Sequence, residues 1–257
     1  MTRKQQVAKA FAAAAATYDS AAQAQARAAD RMTELVGGLA LPAHPVVLEI
    51  GCGTGLLTRR LMPRVGGDWL VTDLSPTMVE AAKAAVAAIE PPCPASAAAQ
   101  FRVMDGEHPD TPVGLFDLVV SNLAAQWFGD LGRAVNRLRA GLAPGGTLVL
   151  STLGAGSFAQ WQDAHRALGL SSGIPAYPDA GTLARQLPEG TRLVTESITV
   201  RHENAHAFIA ALKRIGAGTP AAGHRPLPPG SLRKVMRAMG APVDIAYVLH
   251  YALIPAE

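Results

Sequence analysis

From residue 46 onward, short apolar runs rich in β-branched residues alternate with longer stretches of helical spacing. The runs at 46–50, 69–72, 100–104, 115–121 and 147–152 predict strands, and the stretches at 56–62, 76–89 and 131–142 predict helices. Pro76 stands in the first turn of the second helix, where its missing N–H costs nothing. The first run, Val46-Val-Leu-Glu-Ile50, is nearly continuous in apolar character. Such a run fits a central parallel strand covered on both faces. Strand and helix alternating in this way predict a parallel sheet with helices on both sides.

The flanks read differently. Two helices are predicted before residue 43, divided near Thr17 to Ser20, with Thr17 or Asp19 capping the second. Arg27, Asp30, Arg31 and Glu34 fall on that helix's wet side, and Pro42 and Pro45 end the region. Past Leu153, helices at 158–168, 180–187, 205–215 and 231–239 interleave with strands at 192–200 and 245–254. The expectation is therefore a single domain with a seven-stranded, Rossmann-like α/β sheet: an N-terminal helical segment at 1–42, a core at 43–153, and the last helices and strands at 154–257. Ala143-Pro-Gly-Gly146 is a helix stop signal, Pro91-Pro-Cys-Pro94 a loop, and 216–230, rich in Gly and Pro, a mobile loop. No internal repeat is visible.

Composition narrows the picture only slightly. With 257 residues the chain can bury a substantial core, and 49% apolar content excludes extensive disorder. A formal charge of +3 is an ordinary soluble surface and gives no ground for a nucleic-acid partner. Cys52 and Cys93 form no CxxC pair, and no Cys/His cluster has the spacing of a zinc site. No metal is expected, and a reducing compartment, the cytoplasm, fits best. Arg3-Lys4 ahead of an alanine run superficially resembles a signal peptide. Alanine alone makes a weak apolar segment, however, and Tyr18-Asp19 interrupts it, so an amphipathic helix is expected there. No stretch approaches the roughly 20 apolar residues of a membrane span. A monomer is the default for this fold.

Candidate chemistry begins at Gly51-Cys-Gly-Thr-Gly55, which places three glycines in a strand-to-helix turn. Missing side chains let a backbone approach a ligand closely, and the carboxyl ends of strands are where open α/β sheets bind ligands. Asp73 closes the second strand about twenty residues on, where a carboxylate can accept hydrogen bonds from ribose hydroxyls. Asp105-Gly-Glu107 follows the third strand at the same edge. The spacing is GxGxG and not the GxGxxG that cradles a pyrophosphate, so a dinucleotide is not expected.

Glu49-Ile-Gly-Cys-Gly-Thr-Gly55, Thr72-Asp-Leu-Ser-Pro-Thr-Met78, Met104-Asp-Gly-Glu107, Phe116-Asp-Leu-Val-Val-Ser-Asn122 and Leu142-Ala-Pro-Gly-Gly146 resemble, in order, the motifs of class I methyltransferases. The resemblance implies S-adenosylmethionine as cofactor. It sets the Gly51, Gly53 and Gly55 turn against the methionine part, Asp73 on the ribose, Met78 near the adenine, Asp105 at the adenine amino group and Asn122 beside the sulfonium. Glu49, Cys52, Leu74, Gly106 and Leu123 complete the cofactor set it implies. Plainer readings exist beside these: Asp73 and Asp105 as caps, and Met78 as core.

A closer resemblance, over nearly the whole chain, is to the malonyl-acyl-carrier-protein O-methyltransferases of biotin synthesis. Val7-Ala-Lys-Ala-Phe11 with Tyr18-Asp19, then Ser121-Asn-Leu-Ala-Ala-Gln-Trp127, Ser151-Thr-Leu-Gly-Ala-Gly-Ser157 and Leu212-Lys-Arg-Ile-Gly-Ala217 carry it. Gln160-Trp161 departs from that family's acidic-leucine pair. The resemblance implies methylation of a malonyl thioester carboxylate on acyl carrier protein, and residues 1–42, which precede the sheet and have no other evident role, are expected to form a lid. Tyr18, Gln126 and Trp127 are then walls of the reacting pocket, and Lys213 or Arg214 counters charge on the malonyl group or its acidic carrier. Arg201, Arg225, Arg233, Lys234 and Arg237 add to the downstream cations. The plainer readings are core packing for Trp127 and a solvated helix end for Lys213 and Arg214.

No His/Asp pair is placed beside the Ser121 to Trp127 segment, and a carboxylate acceptor, ionised at neutral pH, needs no such base. Three other readings stay open: a methyltransferase for a free dicarboxylate or other small molecule, a hydroxylase of protein arginine built on the same sheet, and a silent binding protein.

Overall fold

The computed structural model describes residues 2–89 and 98–256. The expected loop at Pro91 to Pro94, with Cys93, lies outside the described residues. Helices α1 (Arg3–Ala14) and α2 (Gln23–Gly37) precede β1 (Val46–Ile50), α3 (Thr58–Val65), β2 (Asp68–Asp73), α4 (Pro76–Ala87), β3 (Ala98–Val103) and β4 (Phe116–Ser121). A 3-10 turn (Ala125–Trp127), α5 (Leu131–Ala140) and β5 (Leu142–Leu153) follow. The chain then forms α6 (Ala159–Arg166), α7 (Ala180–Gln186), β6 (Arg192–His202), α8 (Ala205–Arg214), α9 (Pro229–Met239) and β7 (Val243–Pro255).

These strands make one seven-stranded sheet in the order β3-β2-β1-β4-β5-β7-β6. Strands β1 to β5 run parallel, and β7 is antiparallel to both β5 and β6. The continuous apolar character of β1 is explained by its neighbours. Val47 joins an apolar cluster shared with α2, α3, α6, α8 and α9, whereas Leu48 and Ile50 join a second one shared with α5 and α7. Each face of the strand meets a helical layer, which is why neither alternate residue is polar except Glu49.

Local chemistry sets the element ends. Ser75 caps α4 by accepting the Met78 N–H, with Pro76 in the first turn, and Asp130, Asp179 and Asn204 cap α5, α7 and α8 in the same way. Two expectations need correction. Neither Thr17 nor Asp19 caps α2, whose N-cap is Ala22 without a side-chain bond. The Thr17 hydroxyl instead donates to the Arg214 carbonyl, and Asp19 accepts from Thr54 and Arg59, so tertiary partners outcompete the local cap. Likewise Ala143 to Gly146 does not stop a helix. That helix ends at Ala140, and the four residues form the irregular start of β5, where the register against β4 shifts. Among the described residues no helix is long and apolar enough to cross a membrane.

Candidate functional site

The turn after β1 stands at the carboxyl edge of the sheet. Gly51 has φ +68°, and a Cβ there would lie 2.6 Å from the Ala124 methyl, so the position admits no side chain. A Cβ on Gly53 would meet nothing within 4 Å, because that glycine faces open cavity. The Gly53 N–H donates to Asp73 Oδ2 at 3.0 Å and the Ser75 N–H to Asp73 Oδ1 at 2.8 Å. Asp73 thus ties the glycine turn of one strand to the end of the next.

Around this point lies a cavity of about 770 Å³, lined by Gly51, Gly53, Asp73, Leu74, Met78, Asp105, Gly106, Asn122 and Leu123 of the expected cofactor set. Tyr18 and Trp127 border it too. Glu49, Cys52 and Gly55 do not line it. Glu49 and Cys52 are buried behind the turn, and a Gly55 Cβ would press on the α4 backbone at Ala82, 3.2 Å away. They shape the cavity wall from behind.

The donor and acceptor inventory fits an adenosyl ligand. Each ionised carboxylate offers about four acceptor sites. Asp73 uses one on each oxygen for the Gly53 and Ser75 amides, which leaves capacity for a vicinal diol. Asp105 accepts Lys4 Nζ at 2.5 Å and the Glu107 N–H at 3.0 Å on Oδ1, and faces His108 Nδ1 at 3.2 Å through Oδ2. That leaves room for one more donor, such as an exocyclic amine. Ile50, Leu74, Met78, Met104 and Phe128 supply apolar surface for a flat base.

Electrostatics sharpen the description. Burial pushes the Glu49 carboxyl up from 4.5 to about 7, against the opposing hydrogen bond from the Thr58 hydroxyl at 2.7 Å. Burial also raises Asp73, while the amides of Ser75, Gly53 and Leu74 pull it down. The Cys52 thiol is raised by burial and by the nearby Asp73 and Glu49 charges, so it is an unreactive core group. At Asp105 burial acts upward, but Lys4, the Glu107 amide and His108 outweigh it and hold the carboxyl low.

Leu123 and Phe158 are the described non-glycine residues with positive φ, at 50° and 59°. For Leu123 the strain is held by a network: its N–H donates to Ser151 Oγ at 2.8 Å, Ser151 Oγ donates to Asn122 Oδ1 at 2.9 Å, and Asn122 Nδ2 donates to the Gln25 carbonyl. The Gln126 amide closes it by donating to the Leu123 carbonyl at 2.5 Å.

A second cavity of about 1560 Å³ adjoins the first, and Phe11, Tyr18, Leu123 and Trp127 line both. Phe11 sits edge-on to Trp127, with ring centres 5.6 Å apart, and tilted against Tyr18 at 6.2 Å. Gln126 borders the second cavity, and Phe158, Trp161, Tyr177, Phe208 and Tyr247 give it an aromatic wall. Trp161, half of the unusual Gln160-Trp161 pair, is therefore a wall residue, while Gln160 accepts the Ala246 N–H at 3.0 Å. The predicted loop at 216–230 carries no helix or strand before Pro229 and contributes Thr219, Pro220, His224 and Pro226 to the same cavity. Lys213 is exposed at its edge. Arg214 is instead engaged with the N-terminal segment, donating to Ser20 Oγ at 2.6 Å.

Sequence reasoning missed Lys4, Ser151 and most of the second cavity's aromatic wall. Ser151 and Lys4 carry no local signal, since their partners lie 28 to 103 residues away.

The seven-stranded mixed sheet with its antiparallel β7, the glycine turn and the paired Asp73 and Asp105 define a class I, S-adenosylmethionine-dependent methyltransferase. Residues 47–146 match a family model described as a methyltransferase domain. A malonyl-[acyl-carrier protein] O-methyltransferase of Magnetococcus marinus is 38% identical over 87% of this chain and 82% of its own. A biotin biosynthesis bifunctional protein BioCD of Bordetella avium is 44% identical over 90% of this chain, which spans 48% of that longer relative. Among solved structures, the YcgJ protein of Bacillus subtilis has the same fold, with a TM-score of 0.60 at 17% identity, covering 90% of this chain and 99% of that one. The chain belongs to the malonyl-[acyl-carrier protein] O-methyltransferase family.

Two predictions follow from the network and the buried acid. Ser151→Ala orphans the Leu123 N–H, so we expect a loss of about 1–3 kcal/mol in urea unfolding and a lower kcat. The native state retains the Glu49 proton between about pH 4.5 and 7, where the unfolded chain has released it, so stability falls as pH rises through that window. Glu49→Gln should match the parent near pH 4 and exceed it by roughly 1–3 kcal/mol at pH 8. Equal urea midpoints at both pH values would show that Glu49 does not titrate this way.

Proposed function

We propose that this protein transfers the methyl group of S-adenosylmethionine to the free carboxylate of a malonyl thioester carried on acyl carrier protein, giving the methyl ester used in biotin synthesis. The observation that carries the reading is the junction of the two cavities across Phe11, Tyr18, Leu123 and Trp127. When bound, the cofactor supplies an electrophilic methyl group on a positive sulfur. The acceptor contributes an oxygen nucleophile that is ionised at neutral pH, so the protein has no proton to remove. The second cavity's lining agrees: among the described residues it holds no aspartate or glutamate, and its histidine, His224, packs against Gly173.

In this reading the chain contributes position and dryness. Phe11, Tyr18 and Trp127 keep water from the junction, which strips the carboxylate of solvation and strengthens its attraction to a cation. Burial raises the Tyr18 hydroxyl well above its ordinary range, so it stays protonated and serves as wall and donor, not as base. The Leu123 strain network fixes the segment on which Asn122, Gln126 and Trp127 ride, and so fixes alignment.

The carrier protein would dock on the basic face of α8 and α9. Lys213, Arg233, Lys234 and Arg237 are exposed there without an ion-pair partner among the described residues, and Lys213 and Leu232 border the second cavity. Arg201 is not available in the same way, since Asp244 holds it through two hydrogen bonds of 2.9 and 3.1 Å. The reading carries with it a single-domain monomer acting in the cytoplasm.

Labelled cofactor and malonyl-acyl carrier protein should yield a labelled methyl ester, with free malonate a far poorer acceptor. Equal turnover of free malonate would discard the carrier-bound acceptor. Lys213→Glu with Arg233→Glu should raise KM for the carrier-bound substrate roughly tenfold at low salt, with kcat nearly unchanged. An unaltered KM would sink the docking face.

A further inference from the structure

The roof of the cofactor cavity is lightly held. Helix α1 contributes Lys4, Val7, Ala8 and Phe11 to the cavity lining, and only Val7 and Ala14 of its residues are buried. Its C-terminal side is anchored: a Cβ on Gly216 would lie 2.8 Å from the Ala10 carbonyl oxygen, and the Thr17 hydroxyl donates to the Arg214 carbonyl at 2.9 Å. Its N-terminal half has a single polar tether. Lys4 Nζ donates to Asp105 Oδ1 and to Glu107 Oε2, each at 2.5 Å, and apart from Gln5, which accepts the N–H of the Thr2 cap, no other α1 side chain makes a hydrogen bond or ion pair to the rest of the described protein.

The two acceptors are well chosen for a catch. Glu107 is buried and fixed, its Oε1 accepting the Gly129 and Asp130 amides at 2.7 and 3.1 Å. Asp105 borders the cavity itself, so the same carboxylate faces both the lid and the ligand. Side chains of Lys4 and Asp105 are about one-third exposed, so solvent and salt reach the contact.

From this we infer that Lys4 is a positioning residue that latches α1 over the cofactor cavity, so that cofactor and spent cofactor exchange only when its bonds to Asp105 and Glu107 open. The inference rests on the cofactor assignment and is independent of which acceptor is methylated. Opening swings α1 about its anchored end near Gly216 and uncovers the face lined by Val7, Ala8 and Phe11. Closing restores the apolar roof and returns the Lys4 ammonium to the acidic pair.

The test is the dissociation rate of S-adenosylhomocysteine from the whole protein, followed by stopped-flow chase, with amide hydrogen exchange of residues 3–14 as a second readout. Lys4→Met should speed dissociation roughly three- to tenfold and speed exchange across α1, while Lys4→Arg restores both. In the parent, raising salt from about 0.05 to about 0.5 M should accelerate dissociation, and in Lys4→Met it should not. Identical dissociation rates in the parent and Lys4→Met would overturn the latch, as would a salt response that survives the substitution. Failure of the parent to take up S-adenosylhomocysteine at all would overturn the cofactor assignment and the latch with it.

Discussion

The hydrogen bond from the Gly53 amide to the Asp73 carboxylate is the constraint on which the site depends. It joins the turn after β1 to the end of β2, so the two parallel strands present their carboxyl ends at one level. Two positions of that turn resist a side chain: Gly51 abuts Ala124, and Gly55 lies against α4. The close approach of three elements to one bend creates a concave backbone surface, and Asp73 at the end of β2 is the charge held there by the Gly53 and Ser75 amides. Everything else in the cavity is arranged around this fixed corner.

The second organising contact is between the first forty residues and later parts of the chain, from the end of β4 to α8. Thr17 and Ser20 meet Arg214, Arg27 donates to the Thr199 carbonyl, and Gln25 accepts from Asn122. The N-terminal helices therefore lie across the carboxyl edge and turn one open crevice into two cavities with a shared aromatic wall. Because Phe11 and Tyr18 belong to that wall, the same N-terminal segment borders both cavities. In the proposed reading, cofactor access and acceptor geometry would be coupled through this one segment.

Much of this was legible in the sequence because the signals are local. The strand, glycine turn and helix around Gly51 to Gly55, and the aspartate twenty residues on, follow from backbone stereochemistry and sheet topology within about thirty residues. The boundaries of α4, α8 and β7 fell within two or three residues of expectation for the same reason. What stayed hidden is nonlocal. Lys4 is an ordinary lysine until the sheet brings Asp105 to it, and Ser151 an ordinary strand residue until Leu123 turns back on it. Phe158, Trp161, Phe208 and Tyr247 are scattered through ninety residues of the sequence and each reads as core, which they are, while also walling a cavity. The failed caps at Thr17 and Asp19 show the converse: a sound local rule loses when Thr54, Arg59 and Arg214 offer partners from elsewhere in the fold.

The charge distribution gives the cavity a preference in time as well as in space. Glu49, Cys52 and Asp73 are acidic groups buried together behind and within the glycine turn: burial raises all three, Asp73 adds to the rise at Glu49 and Cys52, and Glu49 adds to it at Cys52. A ligand carrying a positive sulfur relieves that repulsion, because a nearby cation favours the ionised carboxylates. Once the methyl group has left, the sulfur is a neutral thioether and the relief is gone. A cofactor bound with its sulfur at this turn would be attracted by the ionised Asp73 in its charged form and held less tightly once spent. At the other end of the cavity, Asp105 is already neutralised by Lys4, so it contributes recognition without adding to this imbalance. In the proposed arrangement, charge-dependent attraction would come from Asp73 at the glycine turn, and charge-independent recognition from Asp105 at the other end of the cavity.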